Sequence, residues 1–90
     1  MTITVEYFAQ LRTATDTQSE TYALEGPATL ATLTNAMRDR HPDALGSMLG
    51  SDGELPGWIT VVVSGKTVRD AHSVIPDDAT VRFLSPVSGG

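Results

Sequence analysis

The sequence predicts an α+β fold, with one helix covering one face of a mixed sheet. Three observations carry that reading. Strict period-two alternation opens the chain at Ile3-Thr4-Val5-Glu6-Tyr7. Leu30, Leu33 and Met37 fall at i, i+3 and i+7, which is a single apolar stripe on a helix. Strand-like runs on both sides of that stripe give the order β-β-α-β-β-β, leaving one sheet face to be covered and one helix to cover it.

In the first strand, Ile3, Val5 and Tyr7 face the core, and Thr2, Thr4, Glu6 and Phe8 face out. A polar link from Thr13 to Gln18 reads as a hairpin-type connection. It leads into a weaker strand, Ser19 to Leu24, with Tyr22 and Leu24 inward. Gly26-Pro27 breaks that strand, and Thr29 is placed to cap the helix that follows. Ala36 lies beside the apolar stripe, and Arg38 and Arg40 suit the negative end of the helix dipole. Pro42 forces His41 out of helical geometry and stops the helix.

Asp43 to Gly57 is the least regular stretch. Ala44-Leu45 and Met48-Leu49 fit a short helical turn, and Gly50-Ser51-Asp52-Gly53 fits a loop. Trp58-Ile59-Thr60-Val61-Val62-Val63 is the strongest β run in the chain. Ser64-Gly65-Lys66 turns it back into a short strand at Thr67-Val68. Val74-Ile75-Pro76 and Asp77-Asp78 read as a linker with turn chemistry. The last strand covers about Thr80 to Ser85, with Val81 and Phe83 inward.

Composition narrows the function. Ninety residues make one domain with a modest core. There is no cysteine, so the chain supplies neither a disulfide nor a thiol nucleophile. The net charge is −5, and the six basic residues are scattered, which argues against nucleic-acid binding. No apolar stretch is long enough for a membrane span, and no signal pattern opens the chain, so a cytoplasmic protein is expected. His41 and His72 are far apart and offer no metal-ligand spacing, so no metal site is expected. Asp77-Asp78 are read as turn formers, and the sole lysine, Lys66, as a solvated hairpin residue.

The most informative segment is the last one. Pro86 cannot donate to a ladder, so the globular domain is expected to span residues 1–85. Pro86-Val87-Ser88-Gly89-Gly90 then forms an arm reaching roughly 17 Å at full extension. Its final residues have no Cβ, so it can thread a channel that a side chain would block. Phe8, Val62 and Leu84 fall at outward positions of their strands and are apolar where alternation asks for polar residues.

Two segments carry a family resemblance: Tyr7-Phe8-Ala9-Gln10-Leu11-Arg12, and Phe83-Leu84-Ser85-Pro86-Val87-Ser88-Gly89-Gly90. Between them Val63-Ser64-Gly65-Lys66-Thr67-Val68 and Ile75-Pro76-Asp77-Asp78-Ala79-Thr80-Val81 match a family hairpin and turn. The chain resembles the β-grasp, ubiquitin-like sulfur carriers, and most closely the small subunit of molybdopterin synthase. The thiamine-pathway sulfur carrier belongs to the same group. Two features depart from the family pattern. Phe83-Leu84 replaces the usual aromatic pair, and the loop from Gly46 to Gly57 is longer, resembling that of archaeal small modifiers.

The resemblance implies a five-stranded mixed sheet whose first, last and third strands are neighbours. That would gather Phe8, Val62 and Leu84 into one outer apolar patch, a partner surface with Arg12 and Arg82 as its polar rim. It also implies a partner, an E1-like enzyme that uses ATP and magnesium to adenylate Gly90, which then becomes a thiocarboxylate. The chain itself would bind no cofactor. It would act as the non-catalytic, sulfur-donating subunit of a synthase in molybdenum cofactor biosynthesis, inserting its arm into a large subunit within a heterotetramer. Gly90 would carry the reacting group, Gly89 would give clearance, and Val87 and Pro86 would direct the arm. Sulfur delivery for thiamine, cysteine or tRNA thiolation, or attachment to protein lysines as a modifier, would use the same tail.

Overall fold

The computed structural model describes residues 1–50 and 53–85. β1 (Thr2–Tyr7) pairs antiparallel with β2 (Ser19–Ala23) and parallel with β7 (Thr80–Leu84). β7 pairs antiparallel with β4 (Thr60–Val63), and β4 with β5 (Lys66–Val68). The sheet is therefore mixed, in the order β2-β1-β7-β4-β5. This is the ubiquitin-like β-grasp arrangement, with the first, last and third expected strands adjacent.

Alternation sets the faces. Ile3, Val5 and Tyr7 of β1, Val81 and Phe83 of β7, and Val61 and Val63 of β4 are all buried. α2 (Leu30–Arg40) lays Leu30, Leu33 and Met37 into the same core. Each such side chain contributes about 1.5–3 kcal/mol by leaving water. The helix begins where the cap residue predicts. Thr29 is extended, and its Oγ1 accepts from the Thr32 amide at 3.3 Å. The helix ends at Arg40. His41 has ψ 64°, outside the helical range, and Pro42 opens the short helix α3 (Pro42–Leu45). Leu45 and Leu49 from this irregular stretch are buried in the core.

Several expectations are corrected. The link between β1 and β2 is helical rather than a hairpin loop. α1 (Gln10–Thr15) buries Leu11 and Thr15, one turn apart, so tertiary packing overrides a polar composition. Val74-Ile75 is not a linker but β6 (Val74–Ile75), paired with β3 (Ala28–Thr29) at Ala28↔Ile75. Ile75 and Ala28 are fully buried, which fixes that pairing. β2 stops at Ala23, leaving Leu24 half-buried beyond it. β4 begins at Thr60, so Trp58 and Ile59 precede the strand.

The β4–β5 turn has positive φ at both Ser64 (49°) and Gly65 (86°), the backbone twist that two-residue hairpins favour. Asp77 and Asp78 also form a turn. Asp77 Oδ1 accepts from the Thr2 amide at 2.8 Å, and Asp78 has φ 62°. Gly53, at φ 87°, packs where a Cβ would lie 2.7 Å from the Ala71 Cβ, so the loop closes tightly onto the segment before β6. No helix of the described residues is long and apolar enough to cross a membrane.

Candidate functional site

The arm residues Pro86, Val87, Ser88, Gly89 and Gly90 lie outside the described residues. What the structure fixes is the point from which they start. β7 lies between β1 and β4, so its last residue emerges in mid-sheet rather than at an edge. Ser85 follows it. Its Oγ donates to the Phe8 carbonyl at 3.2 Å and accepts from the Gln10 amide at 3.1 Å. The Phe8 amide in turn donates to the Phe83 carbonyl at 3.2 Å. The ends of β1 and β7 are thereby stitched together just before the arm begins.

The outer sheet face surrounds this point. Registers Tyr7↔Phe83 and Thr60↔Leu84 bring Phe8, Leu84 and Thr60 into one row across three strands. Registers Glu6↔Arg82 and Val62↔Arg82 place Glu6, Arg82 and Val62 in the row behind. Phe8, Val62 and Leu84 are each half-buried, and Arg82 stands on the middle strand between Glu6 and Val62 rather than at a rim. The face is therefore a partly covered apolar strip crossed by a charged pair.

The two arginines behave differently. Arg12 Nε donates to the Tyr7 carbonyl at 3.2 Å, and its guanidinium lies 5.5 Å from the centre of the Phe8 ring. That stacking holds an exposed cation beside the strip. Arg82 Nε pairs with Glu6 Oε1 at 2.8 Å. An exposed pair of this kind contributes about 0–1 kcal/mol, so a partner can displace it easily. Two shallow hollows flank the strip. One, of about 300 Å³, is lined by Glu6, Phe8, Arg12, Gln18 and Ser19. The other, of about 110 Å³, is lined by Val62, Ser64, Gly65, Thr80 and Arg82.

Sequence reasoning missed a second polar cluster. Glu20 Oε1 accepts from the hydroxyls of Tyr7 and Tyr22, each at 2.7 Å, and lies 2.7 Å from His41 Nε2. Arg40 is 3.6 Å from Glu20 Oε2, and its guanidinium stacks 3.9 Å from the centre of the Tyr22 ring. Burial alone would raise the Glu20 carboxyl. The hydrogen bonds from Tyr7, Tyr22 and His41 outweigh it and hold the group below its ordinary value. Burial, reinforced by Glu20, pushes both tyrosines well above the ordinary phenol range. The cluster ties β1, β2 and the end of α2 together. Its only legible sequence signal was Glu20 and Tyr22, two apart on one strand.

The sequence expected no metal site. His72 lies far from His41 in the chain, and its own amide donates to Asp70 Oδ1 at 2.8 Å. Among the described residues no group of three or more histidine, aspartate or glutamate side chains is arranged to hold a metal ion. Lys66 opens β5 and is exposed.

Comparison with known proteins adds a sequence relation to this geometry. The ThiS family model matches residues 5–90. No curated protein matches. SAMP1 (small archaeal modifier protein 1) of Haloferax volcanii is 26% identical, with a TM-score of 0.84 and full coverage of both chains. A chain of the Amycolatopsis orientalis BexX/CysO complex is 27% identical, with a TM-score of 0.75, over 98% of this chain and 99% of that one. A Pyrococcus furiosus protein described as molybdopterin converting factor, subunit 1, has a TM-score of 0.79 at 22% identity, over 97% and 99%. That last likeness speaks for the fold alone.

Proposed function

This chain belongs to the ThiS family of ubiquitin-like carriers and modifiers, and from that premise we propose that it carries sulfur as a thiocarboxylate on Gly90. A carboxylate does not accept a sulfur nucleophile directly, because its leaving group would be oxide. An E1-like enzyme with ATP and magnesium supplies the missing leaving group. The Gly90 carboxylate attacks the α-phosphate, pyrophosphate departs, and an acyl adenylate forms. A persulfide sulfur of the donor then displaces AMP. A second thiol of the donor cleaves the sulfur–sulfur bond, leaving the thiocarboxylate on Gly90 and a disulfide on the donor.

The chain's own residues position and present the group and perform none of these steps. Ser85 fixes where the arm begins, and Gly89 and Gly90 keep its end thin enough for a channel. Phe8, Val62 and Leu84, with Arg12 beside Phe8 and Arg82 between Glu6 and Val62, form the face that meets the receiving protein. The reading that fits the Tyr7-Phe8-Ala9-Gln10-Leu11-Arg12 segment is the small subunit of molybdopterin synthase, with a large subunit that takes the arm in a heterotetramer. The observation that carries the carrier reading is the family match, which runs through the arm to residue 90. It is tested by incubating the chain with its E1-like enzyme, ATP, magnesium and a persulfide donor. Intact-mass spectrometry is expected to find one oxygen exchanged for sulfur, and fragmentation to place it on Gly90. An unmodified chain overturns the reading.

A second reading is favoured by the full-length likeness to the Haloferax volcanii modifier, which exceeds the likeness to the molybdopterin converting factor in both identity and TM-score. Here Gly90 is joined by an amide bond to lysines of other proteins. A ladder of conjugates in the source cell, lost on removal of Gly89-Gly90, selects it over the synthase subunit.

A further inference from the structure

Trp58 is the only tryptophan of the chain and is 39% exposed. It stands in a turn closed by the Ile59 amide donating to the Pro56 carbonyl at 3.1 Å. Arg69 clasps that turn from the end of β5. Its Nη1 donates to the Ile59 carbonyl at 2.6 Å, and its Nη2 to the carbonyls of Pro56 and Leu55 at 3.2 and 3.3 Å. Carbonyls on both sides of Gly57-Trp58 are thus held by one guanidinium, whose rigid fork fixes an otherwise irregular backbone. An exposed aromatic on a floppy loop loses entropy when a partner covers it, whereas one held in place does not.

Its place in the fold gives it a use. Thr60, two residues on, pairs with Leu84, where β7 ends. Trp58 therefore stands at the end of the sheet from which residues 86–90 depart. A Cβ built on Gly57, next to Trp58 in the chain, meets no atom within 4 Å beyond its chain neighbours. Any protein that works on the Gly90 carboxylate must come within the roughly 17 Å reach of that segment. The end of the sheet where Trp58 stands is therefore within its range.

We propose that Trp58, positioned by Arg69, is an anchor gripped by the protein that adenylates the C-terminal carboxylate. The matching surface on that protein is an apolar socket with a hydrogen-bond acceptor for the indole N–H, since a buried indole needs both. Tryptophans in such sockets carry a disproportionate share of binding energy. The inference rests on the carrier reading.

The test is ATP–pyrophosphate exchange by the recombinant adenylating enzyme of the source cell, with the full chain as the varied substrate. Trp58→Ala and Gly57→Glu are each expected to raise KM for the chain by about tenfold or more with kcat nearly unchanged, and Trp58→Phe to recover most of the loss. Arg69→Ala is expected to raise KM in the same direction. Gly57→Glu guards against a folding artefact, because its side chain enters open space and its melting temperature is expected to match the parent. Titrating the parent with the enzyme is also expected to shift the single indole emission to the blue. Exchange with the parent chain but an unchanged KM in both Trp58→Ala and Gly57→Glu overturns this inference alone. No exchange with the parent chain overturns the carrier reading and this inference with it.

Discussion

Ser85 and Phe8 are joined by a hydrogen bond of 3.2 Å from the Ser85 hydroxyl to the Phe8 carbonyl, across the parallel pair β1 and β7. The same hydroxyl accepts from Gln10. One side chain therefore closes the end of β1, the start of α1 and the end of β7. It also marks the boundary between the described core, which runs from Ile3 to Phe83, and the segment proposed to carry the reacting group.

Removing Gly89-Gly90 is therefore expected to leave the fold alone. Gly89 and Gly90 carry no side chain to bury, and Pro86 before them cannot donate to a ladder. The truncated chain is expected to match the parent within about 0.5 kcal/mol in urea unfolding. The same truncation is expected to abolish sulfur transfer. A truncated chain that still supports transfer contradicts the carrier reading.

The outer face can be separated from the core by placing a charge on each. Phe8→Asp puts a carboxylate beside Arg12 on the solvent side of the sheet, where it can be hydrated or paired. Leu84→Asp changes a half-buried position at the end of β7. Both variants are expected to fold and to bind the sulfur-receiving partner about 2 kcal/mol or more less tightly by calorimetry. Val81→Asp is the contrast. Val81 is fully buried, and an unpaired charge there is expected to unfold the domain, seen as loss of the cooperative melt. Normal binding by both outer-face variants places the docking surface elsewhere.

What was legible in the sequence follows from how local each determinant is. The faces of β1, β4 and β7 were readable because alternation is written residue by residue. Thr29 and Pro42 marked the helix ends because caps and proline act on their own neighbours. α1 was not readable. It has six residues and buries only Leu11 and Thr15, so its stability comes from the core it lands on. β3 and β6 are two residues each and exist only as a pair brought together by the fold. The Glu20 cluster draws on β1, β2 and the end of α2, and the Arg69 clasp on carbonyls ten or more positions away. No periodicity encodes either. Phe8 and Leu84 fall in one row with Thr60, and Val62 in the next beside Arg82, and neither this stagger nor the half-burial of all three was visible in the alternation.

Gly53 is expected to be intolerant of a side chain. Its φ is 87°, and an added Cβ would lie 2.7 Å from the Ala71 Cβ and 3.0 Å from the Ala31 Cα. Gly53→Ala combines left-handed strain with a backbone clash at the helix start. A loss of about 1–3 kcal/mol is expected by urea unfolding. Gly57→Ala, in open space nearby, is expected to change stability little.

The Glu20 cluster is expected to contribute to the pH dependence of stability, with the sign given by the direction of each shift. The folded Glu20 carboxyl lies below its ordinary value, so the folded state binds its proton less readily than the unfolded chain does. Its contribution is present above the unfolded value of about 4.3 and is lost as pH falls through the lower folded value. Tyr7 and Tyr22 are shifted the other way. Their contribution is present below the unfolded value of about 10 and is lost as pH rises through the folded values. Stability should therefore hold between these limits and decline outside them. Glu20→Gln keeps an acceptor for the phenols but removes the charge facing His41 and Arg40. It is expected to cost about 1–2 kcal/mol at neutral pH, and to flatten the acid limb because the titrating group is gone. Urea midpoints measured from pH 3 to pH 11 on both chains check this. An acid limb as steep in Glu20→Gln as in the parent would show that other carboxylates govern it.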